Sequence, residues 1–295
     1  MKILVTGAAG KVGSFVVREL LEHGHQVRAL DKMAFAADVR ERAEVVYADL
    51  TDRIAMLRAA QGMDAIAHLA AIPNPTNGQD LEIFEPNVVG THYVFAAAEA
   101  HGIQKVAFAS SCAIYGAPFA SKPFEMQYLP LDEKHPIEPQ DLYALSKHFG
   151  ELTAATYTRR TGMATTCLRL HMVVDFASKR SRWMHRHIEH NHERASNDLW
   201  HYLDVRDAAR AFRLALENVE TGHHVAIAVA RDILTTHDRR DLIRRHYPHL
   251  ERFLDSDWDF DKYGFLDSRA AEEIFGFVAQ HFWRDSPALQ ESQKE

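Results

Sequence analysis

Short apolar runs punctuate the first part of the chain, at residues 2–6, 26–30, 44–48, 65–69, 106–110 and 165–170. They are nearly continuous rather than alternating, which predicts strands covered on both faces. Between them, residues 12–22, 88–100 and 143–160 carry apolar positions at helical spacing. Strand and helix in alternation predict an α/β fold with a doubly wound parallel sheet. The pattern is less regular further on. Residues 207–217 read as a helix with Asp204 or Asp207 near its start, 225–229 as a strand, and 238–246 and 268–275 as short helices. The chain thus divides into a sheet domain, 1–170, and a small C-terminal substrate-binding cap, 171–295, interleaved with the sheet and set on its C-terminal edge.

Composition narrows the function classes. Lys and Arg number 34 against 41 Asp and Glu, so the net charge is −7 and no basic footprint exists for a nucleic acid. The two cysteines, Cys112 and Cys167, cannot build a disulfide framework. No apolar run reaches the length of a membrane span. The chain opens directly into a strand pattern without a leader-like segment, so a cytoplasmic protein with no membrane partner is expected.

The first strand runs into Thr6-Gly7-Ala8-Ala9-Gly10-Lys11-Val12-Gly13. Glycines at this spacing allow a tight turn and bring backbone N–H groups to a pyrophosphate at a helix N-terminus. The position between a strand and a helix makes this a Rossmann-type dinucleotide site rather than a glycine-rich turn. Asp31 ends the second strand about 20 residues on, where a carboxylate accepts ribose hydroxyls and repels a 2′-phosphate. NAD is therefore expected over NADP, although Lys32 follows. Asp49, beside Leu50, has two readings: an acceptor for the adenine amine, or an N-cap for the next helix.

Tyr143 and Lys147 lie four residues apart on one helical face. An ammonium beside a phenol favours phenolate and lowers its pKa. Such a tyrosine can exchange a proton with a substrate hydroxyl while hydride moves to or from nicotinamide. Ser110-Ser111, at the C-terminal end of a strand, supplies a hydroxyl at the ligand crevice.

With these residues in place the chain resembles an extended short-chain dehydrogenase/reductase of the NAD-dependent epimerase/dehydratase family. The resemblance spans nearly the whole chain and is densest over 1–171. It is carried by residues 6–13, Asp31, Asp49-Leu50, His68-Leu69-Ala70-Ala71, Asn87-Val88-Val89-Gly90-Thr91, residues 110–116 and residues 143–147. It implies a catalytic triad of Ser111, Tyr143 and Lys147, with Lys147 also on the nicotinamide ribose. It implies that Leu69, Ala70 and Ala71 line the cofactor and that Asn87 lies near it. It implies a homodimer through the helices beginning near Asn87 and Tyr143, although their stripes (Val94, Phe95, Ala98; Phe149, Leu152, Thr156) would serve burial within one subunit equally well.

Departures from the family pattern refine the chemistry. Sugar-nucleotide dehydratases carry an Asp-Glu pair where this chain has Cys112 and Ala113, so elimination lacks its acid and base. The cysteine of sugar epimerase-reductases would fall at Ala113, leaving Cys112 a small packing residue or a substrate-facing thiol. No glycine occurs between Gly162 and Gly222, where many epimerases grip a nucleotide. A smaller substrate follows. Arg169 suits a carboxylate or phosphate, or else forms a structural ion pair. His171 joins it on the substrate side. Pro73 and Asn74 follow the fourth strand, where Asn74 contacts substrate or stabilises its turn.

Four histidines, His185, His187, His190 and His192, read as a solvated helix face rather than a metal site. Trp183, Trp200 and Trp258 read as packing residues. The expectation is an NAD-dependent oxidoreductase acting on a sugar, sugar-acid or polyol carbinol. A nucleotide-sugar 4-epimerase and a non-catalytic NAD sensor are the competing readings.

Overall fold

The structure, a computed structural model, describes residues 1–76, 79–122, 125–178, 184, 188 and 190–286. Strands β1 (Lys2–Thr6), β2 (Gln26–Asp31), β3 (Glu44–Tyr47), β4 (Ala65–His68), β5 (Lys105–Ser111) and β6 (Ala164–Leu170) alternate with α1 (Lys11–Glu22), α2 (Ala37–Arg42), α3 (Arg53–Ala60), α4 (Asp80–Ala100) and α5 (Leu142–Thr161). The short strands β7 (Val173–Val174) and β8 (Leu203–Asp204) pair with each other. They precede α6 (Val205–Asn218) and β9 (His223–Ala228), and α7 (Arg239–His246), α8 (Phe260–Tyr263) and α9 (Arg269–Phe275) follow.

The main sheet runs β3-β2-β1-β4-β5-β6-β9, every pair parallel. The strand order reverses beside β1, which opens a crevice at the carboxyl ends of β1 and β4. One face is covered by α1 and α6, through residues such as Val16, Leu20, Phe212 and Leu216. The other is covered by α3, α4 and α5, through Met56, Phe95, Ala98 and Tyr157. A separate apolar cluster under the cap joins Ile114, Leu131, Trp200, Ile243 and Phe265. No helix among the described residues is long and apolar enough to cross a membrane.

Local chemistry sets the helix ends. Asp204 caps α6 by accepting from Arg206 N at 2.9 Å, and Asp141 caps α5 by accepting from Ala144 N at 2.8 Å. Helix α4 starts well before residue 88. Pro86 reads as a breaker in sequence, yet it lies within the helix, which opens where the Glu82 carboxylate accepts Gln79 N at 3.0 Å. Val94, Phe95 and Ala98 face their own subunit's core, whereas Phe149 and Leu152 on α5 stay 41% and 50% exposed. The α4 stripe therefore serves internal packing and only the α5 stripe is open.

The segment after residue 170 is interleaved with the sheet in a specific way. Strand β9 pairs along the whole of β6, from Thr165–His223 to Leu170–Ala228. The chain after residue 170 therefore contributes the last strand of the main sheet.

Candidate active site

The glycine loop joins β1 to α1 at the crevice. Gly7 has φ +71°, and a Cβ there would fall 2.6 Å from Ala70 N. A Cβ on Gly13 would fall 2.0 Å from Gly7 O, so only glycine lets α1 approach the loop this closely. Gly10 is the N-cap of α1 and offers no side-chain cap, which leaves the first-turn N–H groups of Lys11, Val12 and Gly13 without helix partners. This positive, backbone-lined cradle fits a pyrophosphate. Ala9 N donates to Asp31 Oδ2 at 3.0 Å and Met33 N donates to Oδ1 at 2.9 Å. Asp31 is thus anchored beside the loop with acceptor capacity left for ribose hydroxyls. Lys11 Nζ donates to Val173 O at 3.1 Å, joining the loop to β7.

A buried histidine braces the cradle from below. His68 links Thr6 Oγ1 through Nδ1 at 2.7 Å and Thr91 Oγ1 through Nε2 at 3.0 Å. Thr6 Oγ1 also accepts from Ala70 N at 3.2 Å. The strands carrying Gly7 and the Leu69-Ala70-Ala71 segment are therefore tied at their ends. Burial, helped by the nearby Lys147 charge, pushes His68 down to about 3, so it is neutral.

Ser111, Tyr143 and Lys147 meet at the C-terminal end of β5. The Tyr143 hydroxyl is hydrogen-bonded with the Ser111 side chain. Ser111 Oγ also accepts from Ala113 N at 3.1 Å. Lys147 Nζ donates to Ala109 O at 2.8 Å and lies 5.7 Å from the Tyr143 ring centroid. Burial dominates both ionisations. It raises Tyr143 to about 12 and lowers Lys147 to about 7. The expectation that the ammonium would lower the phenol is therefore reversed in this state: desolvation of phenolate outweighs the pull of the Ser111 hydrogen bond.

Several sequence readings resolve differently. Arg169 is not open to a substrate. Its Nε and Nη2 donate to Glu151 at 2.9 and 2.8 Å, and Nη1 donates to Tyr115 OH at 2.8 Å and Glu133 O at 3.0 Å. The guanidinium is buried and its charge is met by a buried carboxylate. Asn87 braces the end of β4 against α5: Nδ2 donates to Ile72 O at 3.1 Å and Ser146 Oγ at 3.2 Å, while Oδ1 accepts from Ile72 N at 2.8 Å. Asp49 does not cap a helix. It closes a turn through Thr51 N at 3.0 Å and pairs with Lys32 Nζ at 3.1 Å, while Asp52 caps α3. Leu50 packs over Gly90, where a Cβ would meet its Cγ at 2.2 Å.

Asn74 closes its own turn through Thr76 N at 3.0 Å, directly after Pro73. Cys112 is buried, and its thiol donates to Arg169 O at 3.4 Å. Burial raises that thiol far above its ordinary range, so it stays protonated. Trp200 and Trp258 are anchored through their indole N–H groups, to Asn191 O and Gly264 O. His185, His187 and Trp183 lie outside the described residues. His190 pairs with Glu193, and His192 stacks on His237 with ring centroids 3.5 Å apart.

Two participants were not read from sequence. Glu151 holds Arg169 and accepts Ser110 Oγ at 2.6 Å. Its signal was present, since Tyr143, Lys147 and Glu151 recur every four residues on one face. Asp198 lines the cleft beside Cys112 and His171. Nothing in its local sequence marks it.

A doubly wound sheet, a glycine cradle with an anchored acid, and a Ser-Tyr-Lys group at the same crevice define a dinucleotide-dependent enzyme of the short-chain dehydrogenase/reductase type. Residues 3–228 match the NAD dependent epimerase/dehydratase family, and the chain belongs to it, with NAD as cofactor. Uronate dehydrogenase of Pseudomonas syringae pv. tomato is 29% identical over 81% of this chain and 78% of its own. UDP-glucose 4-epimerase of Corynebacterium glutamicum is 29% identical over 76% of this chain and 73% of its own. Among solved structures, a short-chain dehydrogenase/reductase superfamily protein from Agrobacterium tumefaciens with bound NAD superposes with a TM-score of 0.73, at 23% identity, over 100% of this chain and 96% of that one.

Proposed function

We propose that this enzyme is a net dehydrogenase that oxidises a carbinol of a small sugar, sugar acid or polyol. The observation that carries the reading is the convergence of Tyr143, Ser111 and Lys147 at the crevice beside the glycine cradle. The backbone N–H groups of residues 11–13 would hold the pyrophosphate and Asp31 the adenosine ribose. Leu69, Ala70 and Ala71 would line the cofactor, and Lys147 would hold the nicotinamide ribose. When bound, NAD supplies the hydride acceptor at nicotinamide C4.

Ser111 Oγ orients the substrate oxygen next to the Tyr143 phenol. Tyr143 takes the hydroxyl proton as the carbinol carbon gives up hydride, and a ketone or lactone results. The Lys147 ammonium favours the phenolate that this step needs. Its pKa near 7 keeps the charge available on the acid side of neutrality. The cleft beyond Cys112 closes on Leu131, Leu199 and Leu266, an apolar rim suited to a compact substrate. The exposed α5 residues Phe149 and Leu152 supply a surface for a homodimer.

The test is the cofactor state of the purified protein, followed by NADH absorbance with a panel of sugars, sugar acids and UDP-sugars. NADH accumulating with a free sugar or sugar acid is the expected result. Tightly retained NAD with no net NADH, together with isomerised UDP-sugar, would replace the reading by an epimerase.

A further inference from the structure

Lys147 is a buried cation with no anion of its own. Its ammonium donates to Ala109 O at 2.8 Å. Among the described residues no carboxylate forms an ion pair with it, and burial, which draws it down to about 7, is the one influence on its charge. Glu151, one helical turn further along α5, is taken up by Arg169 and Ser110. His68 on β4 is neutral, and Tyr143 on the same helix is held protonated. A charge taken out of water ordinarily needs a partner to replace its hydration.

What stands beside this ammonium is aromatic. Lys147 Nζ lies over the Phe108 ring, 5.1 Å from its centroid, and 5.7 Å from that of Tyr143. Both distances fall within the range over which a ring quadrupole attracts a cation, and exclusion of water strengthens that attraction. Lys147 and Phe108 are both buried.

Phe108 lies on β5, three residues before Ser111, and its ring is held from two further sides. The His68 ring centroid is 5.4 Å away, and His68 is itself pinned by Thr6 and Thr91. On the α5 side a Cβ at Gly150 would fall 2.3 Å from Phe108 Cζ. Glycine is unfavourable inside a helix. Here it makes the room that the ring occupies.

We propose that Phe108 is a positioning residue of the reaction, its ring serving as the counter-charge that the Lys147 ammonium otherwise lacks and holding that ammonium between β5 and Tyr143. This role presupposes the proposed dehydrogenase, in which Lys147 favours the phenolate and holds the nicotinamide ribose. A ring suits the task better than a carboxylate. An ammonium has three N–H donors, and Ala109 O takes one. A ring face attracts the charge as a whole and leaves the other donors for ribose hydroxyls. A carboxylate would claim those donors and cancel the charge that favours phenolate.

The experiment follows the Lys147 ammonium directly. The full chain is labelled with carbon-13 at lysine Cε and titrated by NMR, with Lys147→Met identifying the resonance. Phe108→Leu and Phe108→Met each keep a buried apolar side chain and remove the ring. Both are expected to move the Lys147 midpoint to lower pH by about one unit. The levelling-off of kcat/KM for oxidation should move with it, and kcat/KM at neutral pH should fall about fivefold. Phe95→Leu is the control for lost packing, since Phe95 is a buried ring of the same cluster that stacks on Tyr157 instead. It should lower the unfolding temperature and leave both midpoints in place. A Lys147 midpoint unmoved in both Phe108 variants, or moved as far in Phe95→Leu, overturns the proposal whatever the substrate proves to be. A midpoint that moves without the oxidation profile also overturns it, because the ring then serves the lysine and not the reaction. UDP-sugar isomerised without NADH would overturn the proposed function instead, and the pH profile of that isomerisation would then replace the NADH series in deciding on Phe108.

Discussion

Arg169 and Glu151 form a two-point ion pair between β6 and α5, sealed from solvent, with Nε to Oε1 at 2.9 Å and Nη2 to Oε2 at 2.8 Å. The pair sits directly behind the reacting group, because Ser110 bonds Glu151 and Ser111 bonds Tyr143. Arg169→Met leaves a buried carboxylate unpaired and is expected to cost about 3–5 kcal/mol. The double replacement Glu151→Leu with Arg169→Met should recover most of that loss. Urea unfolding measures both. Unchanged stability in Arg169→Met, with KM raised only for acidic substrates, would make Arg169 a substrate ligand after all.

Tyr143→Phe removes the phenol oxygen proposed to carry the proton and retains the ring that packs against Ala113 and Ala144. Turnover should fall about 10²–10⁴-fold while NAD affinity stays within about a factor of two. Because burial raises the phenol to about 12 and lowers Lys147 to about 7, kcat/KM for oxidation by the wild type should climb with pH up to about 7 and then flatten as Lys147 loses its charge, and reduction should favour the acid side. A pH-rate series in both directions reads this, and a flat profile for oxidation would remove Tyr143 from the proton path.

His68 ties acid stability to the cofactor cradle. Its pKa lies near 3 when folded, against about 6.5 unfolded. Its contribution is therefore fully present above about pH 6.5 and is lost as pH falls towards 3, because the unfolded chain binds a proton that the folded chain refuses. His171 and His201 are lowered by burial in the same sense. His68→Gln should flatten part of the acid side of an unfolding-temperature profile. Thr91→Val, which strips the partner from Nε2, should cost about 1–3 kcal/mol at neutral pH. A profile unchanged by His68→Gln would contradict the buried neutral imidazole.

On the α5 surface, Leu152→Glu places a charge among exposed apolar side chains. If that surface joins two subunits, light scattering should report a dimer for wild type and a monomer for the variant, since a like-charged pair in an interface is strongly unfavourable. Monomeric wild type would dismiss the proposed assembly.

The cofactor side of this enzyme was legible in sequence because its constraints are local. Gly13 is demanded by contacts within one turn and Gly7 by its own φ of +71°, and Asp31 follows at the end of the next strand. Tyr143 and Lys147 were legible for the same reason, being one helical turn apart. The fate of Arg169 was not, because its partner Glu151 comes from a different element and only the fold decides whether the guanidinium meets it or a ligand. The start of α4 lay outside the apolar spacing read from residue 88, because its opening turn is set by the polar pair Gln79 and Glu82, with Pro86 inside the helix. The turn at Leu199 and Trp200 was hidden for a third reason: both hold a left-handed backbone that no propensity of a bulky residue favours.

The return of the chain to the sheet has a consequence for how this protein can be taken apart. β6 lies between β5 and β9, and β9 is drawn from the chain after residue 170. A fragment ending at residue 170 would leave β6 as a raw border of free amides and carbonyls, inviting intermolecular strand addition. The layer formed by α6 over α1 would be stripped as well. The segment after residue 170 therefore cannot be exchanged as a cassette without carrying a strand of the cofactor fold with it.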